Sequence, residues 1–301
     1  MQASYDPKVG EPVELAPGLR RLTAPNPSPM TYHGTNTYLL GETDIAVIDP
    51  GPAKQEHLAA ILAALTPGQR VSHILVTHSH MDHSPLAIEL AHQTGAPILA
   101  FGDHLAGRSE VMINLAAKSD LGGGEGMDRA FAPDEILVDG STVSGEGWDV
   151  TAMWTPGHTA NHLCFVWGNA VFTGDHVMGW STSLVSPPDG DLTAFMDSCS
   201  KLQSVPAGRY YPGHGDLVLA PLDRLDELIT HRRGRETQIR EAIAEAELDV
   251  PTITRRVYRD LAPGLLAAAE RNVFAHLIDL HTRRLVTTEG DLHAASRFKG
   301  V

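Results

Sequence analysis

The sequence predicts an α/β protein in which two sheets are stacked with helices on their outer faces, followed by a small helical domain. Three observations carry this reading. Apolar, β-branched runs alternate with amphipathic stretches from Thr37 to Ala100. From Ile136 to Phe172 short strand-like runs dominate, with turns at Asp139-Gly140 and Gly145-Glu146-Gly147. Beyond Leu222 the pattern turns helical, so two strand-rich halves precede a tail of different character.

In chain order, Met1 to Leu22 reads as a polar, proline-containing start with no apolar stretch of the kind a signal peptide needs. Thr37 to Leu40 and Ile45 to Ile48 form two strands joined by the turn Gly41-Glu42-Thr43-Asp44, and Asp49-Pro50-Gly51-Pro52 breaks the second. Gln55 to Leu65 is an amphipathic helix ended by Pro67-Gly68. A buried strand from Val71 to Thr77, a helix from Leu86 to Thr94 and a strand from Pro97 to Ala100 follow. Leu105 to Phe131 holds Gly122-Gly123-Gly124-Glu125-Gly126, too glycine-rich for regular structure, and reads as a surface loop or a flap near a site. In the tail, Leu222 to Leu248 predicts one long helix, followed by helices over Thr252 to Leu261 and Leu265 to His281 and a short strand and turn from Arg284 to Asp291. The division is therefore residues 1–222 and residues 223–301.

The chain has 301 residues and a formal net charge of −14, enough length for one large domain and a small appendage. Residues 1–223 hold 10 basic and 25 acidic side chains, residues 224–301 hold 13 and 12, so the acidity sits in the main body. That balance argues against tight, non-specific nucleic-acid binding and leaves the tail as the one basic surface. No stretch approaches the ~20 apolar residues that span a bilayer, so a soluble, cytoplasmic protein without membrane contact is expected. Cys164 and Cys199 read as two buried, unpaired thiols.

The chemistry concentrates in His78-Ser79-His80-Met81-Asp82-His83, four ligand-type side chains delivered onto a loop by the strand before them. Imidazole and carboxylate suit zinc, iron or manganese, and no thiolate is nearby. Four ligands on one loop cannot all serve one ion with good geometry, so partners are sought at other strand ends. Three qualify by the same order of strand, glycine and ligand: Gly157-His158, Gly174-Asp175 and Gly213-His214.

The ordered set His78, His80, Asp82, His83, His158, Asp175, His214 resembles the ligand series of the metallo-β-lactamase superfamily, over roughly residues 15–220. That resemblance implies an αββα metallo-β-lactamase sandwich with two divalent metal ions at one edge of the sheets, zinc first, with iron or manganese also compatible. By the family pattern His78, His80 and His158 hold the first ion, Asp82, His83 and His214 the second, and Asp175 bridges them. The implied activity is hydrolysis of an ester, thioester, lactone or phosphodiester by a metal-bridging hydroxide, with Asp82 both ligand and catalytic proton relay. Asp175 weakens assignment as a true β-lactamase, which generally lacks a bridging carboxylate there. His57, His73 and His92 read as packing or surface residues, whereas His176 and Asn36, and less so His33 and His104, are candidates for contact with substrate or ligands.

Gly34-Thr35-Asn36-Thr37-Tyr38-Leu39, Gly174-Asp175-His176-Val177-Met178-Gly179, Ser186-Pro187-Pro188-Asp189-Gly190-Asp191 and His231-Arg232-Arg233-Gly234-Arg235-Glu236 are similar to one branch, the β-lactamase-like-protein-2 group. The helical tail resembles that group's winged-helix-type terminal domain. Animal members act on single-stranded RNA, so an endoribonuclease is implied. A small-molecule thioesterase or lactonase of the glyoxalase II type, with or without weak β-lactamase activity, and a metal-stabilised binding module are the alternatives. The substrate partner is thus a small molecule or single-stranded RNA, and the tail could make homodimer contacts. Ser84-Pro85-Leu86 departs from the Gly-Gly pair common after the cluster and predicts an altered pocket floor. Arg232, Arg233, Arg235, Arg255, Arg256 and Arg259 could face phosphates, or form a solvated helix face with pairs such as Arg232 and Glu236.

Overall fold

Alternation at every second residue builds the first sheet. In the computed structural model, which describes residues 5–117, 126–260 and 262–301, strands β3 (Asn36–Leu40) and β4 (Asp44–Ile48) turn Tyr38, Leu40, Ala46 and Ile48 to one side. Leu39, Ile45 and Val47 point to the other. The sheet runs in the order β1 (Val13–Ala16), β2 (Leu19–Thr23), β3, β4, β5 (Arg70–Leu75), β6 (Ile98–Ala100) and β7 (Glu135–Ile136). Its first four strands are antiparallel neighbours and its last four parallel. Parallel neighbours need crossovers, which α1 (Gln55–Ala63), α2 (Leu86–Thr94) and α3 (Glu110–Ala116) supply. Leu58, Ile61, Leu86 and Leu90 seat α1 and α2 on the outer face.

The second sheet has the order β12 (Arg209–Pro212), β11 (Ala170–Gly174), β10 (Leu163–Trp167), β9 (Trp148–Trp154), β8 (Thr142–Gly145). β8 to β11 form an antiparallel meander, and β12 lies parallel to β11 after a crossover through α4 (Leu192–Gln203). Val150, Phe165, Phe172 and Tyr211 face Tyr38, Leu40 and Leu75 across the sandwich. Removing a Leu or Phe side chain from water in such a core is worth about 2 kcal/mol before chain entropy. On the far face Cys164, Val171 and Tyr210 meet Phe195 and Leu202 of α4 and Leu225 and Leu228 of α5 (Pro221–Ala242). Both cysteines are buried and unpaired, and burial pushes each thiol up to about 12.

The tail forms a three-stranded sheet in the order β13 (Leu248–Asp249), β15 (Arg297–Gly300), β14 (Val286–Thr288), with α6 (Val250–Val257) and α7 (Leu266–Thr282) against it, a winged-helix arrangement. Ile239, Ile243, Ile253, Val273, Leu277 and Phe298 make its core, to which α3 adds Met112 and Leu115. α5 therefore serves two cores, the second sheet with its first half and the tail with its last turn.

Three expectations change. The long helix ends at Ala242, not Leu248, because Leu248 and Asp249 pair with Phe298 and Arg297 and Asp249 caps α6 by accepting from the Thr252 amide. β1 and β2 form inside the polar start, where strand pairing with β3 outweighs weak local propensity. Leu105 to Phe131 is not wholly irregular, since Ser109 caps α3 by accepting from the Met112 amide. Gly122 to Glu125 of the glycine-rich stretch lie outside the described residues. Among the described residues no helix is long and apolar enough to cross a membrane.

Candidate metal centre

The loops that follow β4, β5, β9, β11 and β12 all leave one edge of the sandwich, since β4 is parallel to β5, β11 to β12, and β9 runs in the same sense as β11. This common exit brings together every predicted ligand, 136 positions apart in sequence at the extremes of His78 and His214. Two groups result: His78, His80, His158 and Asp175, and Asp82, His83 and His214. Within each, the donor atoms lie within 4.8 Å of one another.

The hydrogen bonds behind the rings fix which nitrogens converge. His158 Nδ1 is 2.7 Å from the Leu184 carbonyl, which can only accept, so His158 carries its proton there and turns a bare Nε2 inward. The Thr77 hydroxyl donates to Asp49 and therefore accepts from His78 Nδ1 at 2.9 Å, baring His78 Nε2. His80 Nδ1 lies 3.0 Å from both inward nitrogens. Three imidazole nitrogens cannot satisfy each other with so few protons, whereas a shared cation satisfies all of them. Burial, then the neighbouring His158, lowers His80 to about 3, so the ring is neutral and ready to ligate.

The second group is built the same way. His83 Nδ1 donates to Asp49 Oδ2 at 2.9 Å and His214 Nδ1 to the Gly34 carbonyl at 3.2 Å. Their Nε2 atoms sit 3.3 Å apart, with Asp82 Oδ2 3.6 Å from His83 and 3.2 Å from His214. Asp175 lies between the groups, Oδ1 3.4 Å from His83 and Oδ2 3.3 Å from His214 and 3.7 Å from His158. Burial works against charge on His83 and His214, but the carboxylates of Asp82 and Asp175 outweigh it and raise both, His214 to about 9. The same imidazoles overcome burial to hold Asp82 and Asp175 below the usual carboxylate range. Buried Asp175 Oδ1 has no hydrogen-bond partner. A carboxylate oxygen without a hydrogen-bond partner among converging imidazole nitrogens fits a divalent cation, which would take the place of their protons.

Three positioning residues escape a reading of motifs. Asp49 accepts from the Thr77 amide and hydroxyl, both at 2.8 Å, and from His83 Nδ1, so one carboxylate orients a ligand of each group. In the sequence it stands in the strand-breaking turn Asp49-Pro50-Gly51-Pro52, which carries no ligand signal. Thr77 relays it to His78, and buried His162 accepts from the Asp175 amide at 3.2 Å through Nε2. Asp49→Ala is expected to weaken metal affinity ~10–100-fold, the usual cost of an outer-sphere partner, measured by competition with a chelating dye. Unchanged affinity would remove Asp49 from the centre.

Several other side chains stand elsewhere than the sequence predicts. Asn36 is wholly buried, its amide donates to the Pro212 and Gly215 carbonyls at 3.0 and 2.9 Å, and its oxygen accepts from Tyr5 and Thr23. It holds the His214 loop and has no group left for a substrate. His176 is likewise sealed, stacked on Phe195 with ring centroids 4.4 Å apart, and burial lowers it to about 3. His33 packs edge-on to Tyr32, which stacks on Trp180, while His104 is half-buried before α3 with Nδ1 unpartnered. Arg232 is neither solvated nor paired with Glu236. It is buried, donates to the Ser183 carbonyl and Asn272 Oδ1, and Arg283 takes Glu236 instead. Ser84, in the departure from Gly-Gly, is buried and donates to Asp128 at 2.9 Å.

A sandwich with histidines and aspartates converging at the shared edge defines a metal-dependent hydrolase of one architecture. The chain belongs to the metallo-beta-lactamase superfamily, whose model matches residues 30–214, and a beta-lactamase associated winged helix domain matches residues 250–296. Among its relatives is the beta-lactamase-like protein 2 homolog of Caenorhabditis elegans, 32% identical over 87% of this chain and 84% of that one. Another is an atrochrysone carboxyl ACP thioesterase of Aspergillus fumigatus, 33% identical over 84% of this chain and 73% of that one. A beta-lactamase domain protein from Burkholderia ambifaria shares the fold with a TM-score of 0.81 over 99% of this chain and 96% of that one, at 22% identity.

Proposed function

We propose that the protein is a dinuclear metal hydrolase of small acyl thioesters or esters. The observation that carries the substrate reading is a cavity of about 400 Å³ that opens on His158 and Asp175 and is walled by Met30, Met178, Trp180 and Leu184. An apolar, concave chamber of that size suits an acyl group. It offers little to a polynucleotide on a chain of charge −14. The name of the thioesterase relative supports the same reading.

Two divalent ions, of zinc, iron or manganese by the donor set, would supply a Lewis acid for the carbonyl oxygen and a water nucleophilic at neutral pH. The protein's own part is to hold and exclude. Asp49, Thr77 and the Leu184 and Gly34 carbonyls fix the tautomers of His83, His78, His158 and His214. Asp82 keeps 26% of its side chain exposed, against 10% for Asp175, and is the carboxylate open to accept a proton from the reacting side. The apolar wall excludes competing water and aligns the acyl carbon.

Turnover of an N-acetylcysteamine thioester, a lactone and single-stranded RNA, before and after exhaustive chelation, tests this reading. Thioester hydrolysis should vanish with the chelator, return with zinc and be lost in Asp82→Ala. Hydrolysis that survives chelation, or cleavage of RNA alone, would overturn it.

A further inference from the structure

The cavity that opens on His158 and Asp175 does not end in the catalytic body. Its opposite wall belongs to the tail: His231 and Arg235 of α5, Tyr258 after α6, and Leu265, Ala269 and Asn272. Most of this lining is apolar, which makes the one guanidinium conspicuous on physical grounds. Arg235 lies flat on Tyr258, its carbon 3.8 Å from the ring centroid. Nη1 donates to Gln238 Oε1 at 2.8 Å and to the Val257 carbonyl at 3.2 Å, so the side chain is held in place by neutral acceptors. Its Nε is buried without a partner. Among the described residues no carboxylate pairs with Arg235, whereas Arg224 pairs with Glu227 and Arg283 with Glu236 and Asp279. Among the described residues the only carboxylate lining the cavity is Asp175, already committed to the imidazoles.

A fixed, partly desolvated guanidinium with unused donors, on the chamber wall and unpaired with any carboxylate among the described residues, is a site for an oxyanion. Tyr258 lines the same chamber, and its hydroxyl accepts from Asn272 Nδ2 at 2.9 Å, which leaves its own proton to donate. The local field agrees: besides burial, the guanidiniums of Arg232, Arg235 and Arg224 lower His231. We propose that the substrate is an organic anion whose carboxylate or phosphate is gripped by Arg235 and Tyr258 while its scissile carbonyl meets the metal ligands at the other end of the cavity. The winged-helix tail is then half of the active site and sets its specificity. This proposal names the substrate class within the acyl hydrolase reading and rests on it for chemistry, but not for binding.

The test separates the two. Glutarate mono-N-acetylcysteamine thioester is compared with its glutaramide counterpart, and a phosphate-terminated thioester of the same length distinguishes the source of the anion. Non-hydrolysable amide analogues of all three are titrated by the fluorescence of Trp180, which lines the cavity, with Trp180→Phe as the blank. The anionic analogues should bind ~10–100-fold more tightly than the neutral one, as a charge-assisted hydrogen bond implies. The tighter of carboxylate and phosphate identifies the group recognised. In Arg235→Gln that ratio should fall to near one, and Arg235→Lys should restore part of it while showing that the tail remains folded. Equal affinity for charged and neutral analogues, or a preference that survives in Arg235→Gln because the anion sits on the metals, overturns the proposal. Absence of thioester turnover beside intact, Arg235-dependent binding would sink the thioester reading alone.

Discussion

Asp175→Asn is expected to lower kcat/KM by roughly 10³-fold or more, beyond the ~10–100-fold typical of outer-sphere partners, because this carboxylate is shared between both ligand groups. The amide is isosteric, so packing is retained and only charge and ligand strength change. Oδ1 lies 3.4 Å from His83 and Oδ2 lies 3.3 Å from His214 and 3.7 Å from His158, so this one carboxylate would serve cations held by either group. Metal content measured by plasma emission should therefore drop below that of the wild type. Retention of full metal and activity would show that Asp175 is not shared. A second signature belongs to the metal-free protein. Asp175 raises His214 from its ordinary 6.5 to about 9, so their attraction stabilises the fold fully below 6.5 while the carboxylate is ionised, and fades as pH rises through 9. Asp175→Asn should cost metal-free stability at pH 6 and little at pH 9.5, which thermal unfolding at the two values would show.

Gly213→Ala should be nearly as damaging to activity, although Gly213 has no side chain and binds nothing. A Cβ there would overlap Asp175 Oδ1 and lie 2.7 Å from His83 Cε1, so one methyl group displaces a ligand of each group at once. The backbone cannot retreat. Its amide donates to the Gly174 carbonyl and its carbonyl accepts from Asn36, both at 2.7 Å. Its φ is not in the left-handed region, so the backbone itself tolerates alanine and the effect is wholly steric. A displacement of ~1 Å in a catalytic constellation costs on the order of 10²-fold in rate, and overpacking of this kind about 1–3 kcal/mol in stability. Gly234, in α5 with open space where a Cβ would stand, is the control, and Gly234→Ala should leave turnover unchanged. Equal activity in both variants would show that the ligand loops yield more readily than their hydrogen bonds imply.

Gly213 also shows how much a motif can carry. The order of strand, glycine and ligand is written three times in the sequence, at His158, Asp175 and His214, and the structure gives the glycines their reason: at 174 and 213 a side chain would strike Thr77 or the centre itself. The ligands were legible because each needs a particular residue type at a particular strand end. Asp49 was not, since its importance lies in accepting from Thr77 and His83, 28 and 34 positions away. Nothing local distinguishes it from a turn. Arg232 misled for a related reason: a charged residue on a polar helix reads as solvated, yet it is buried against the loop that positions His158.

The sequence by itself determined the layered α/β class, a tail of helical character and the seven candidate ligands of the centre, because periodicity and ligand chemistry are local properties of a chain. Tertiary structure alone decided which acids stand behind the ligands, where α5 stops, and that the tail closes the catalytic cavity with Arg235 and Tyr258. Those outcomes depend on which strand edges and helix faces meet over long separations. They are set by packing and by the satisfaction of buried polar groups, which no short segment encodes.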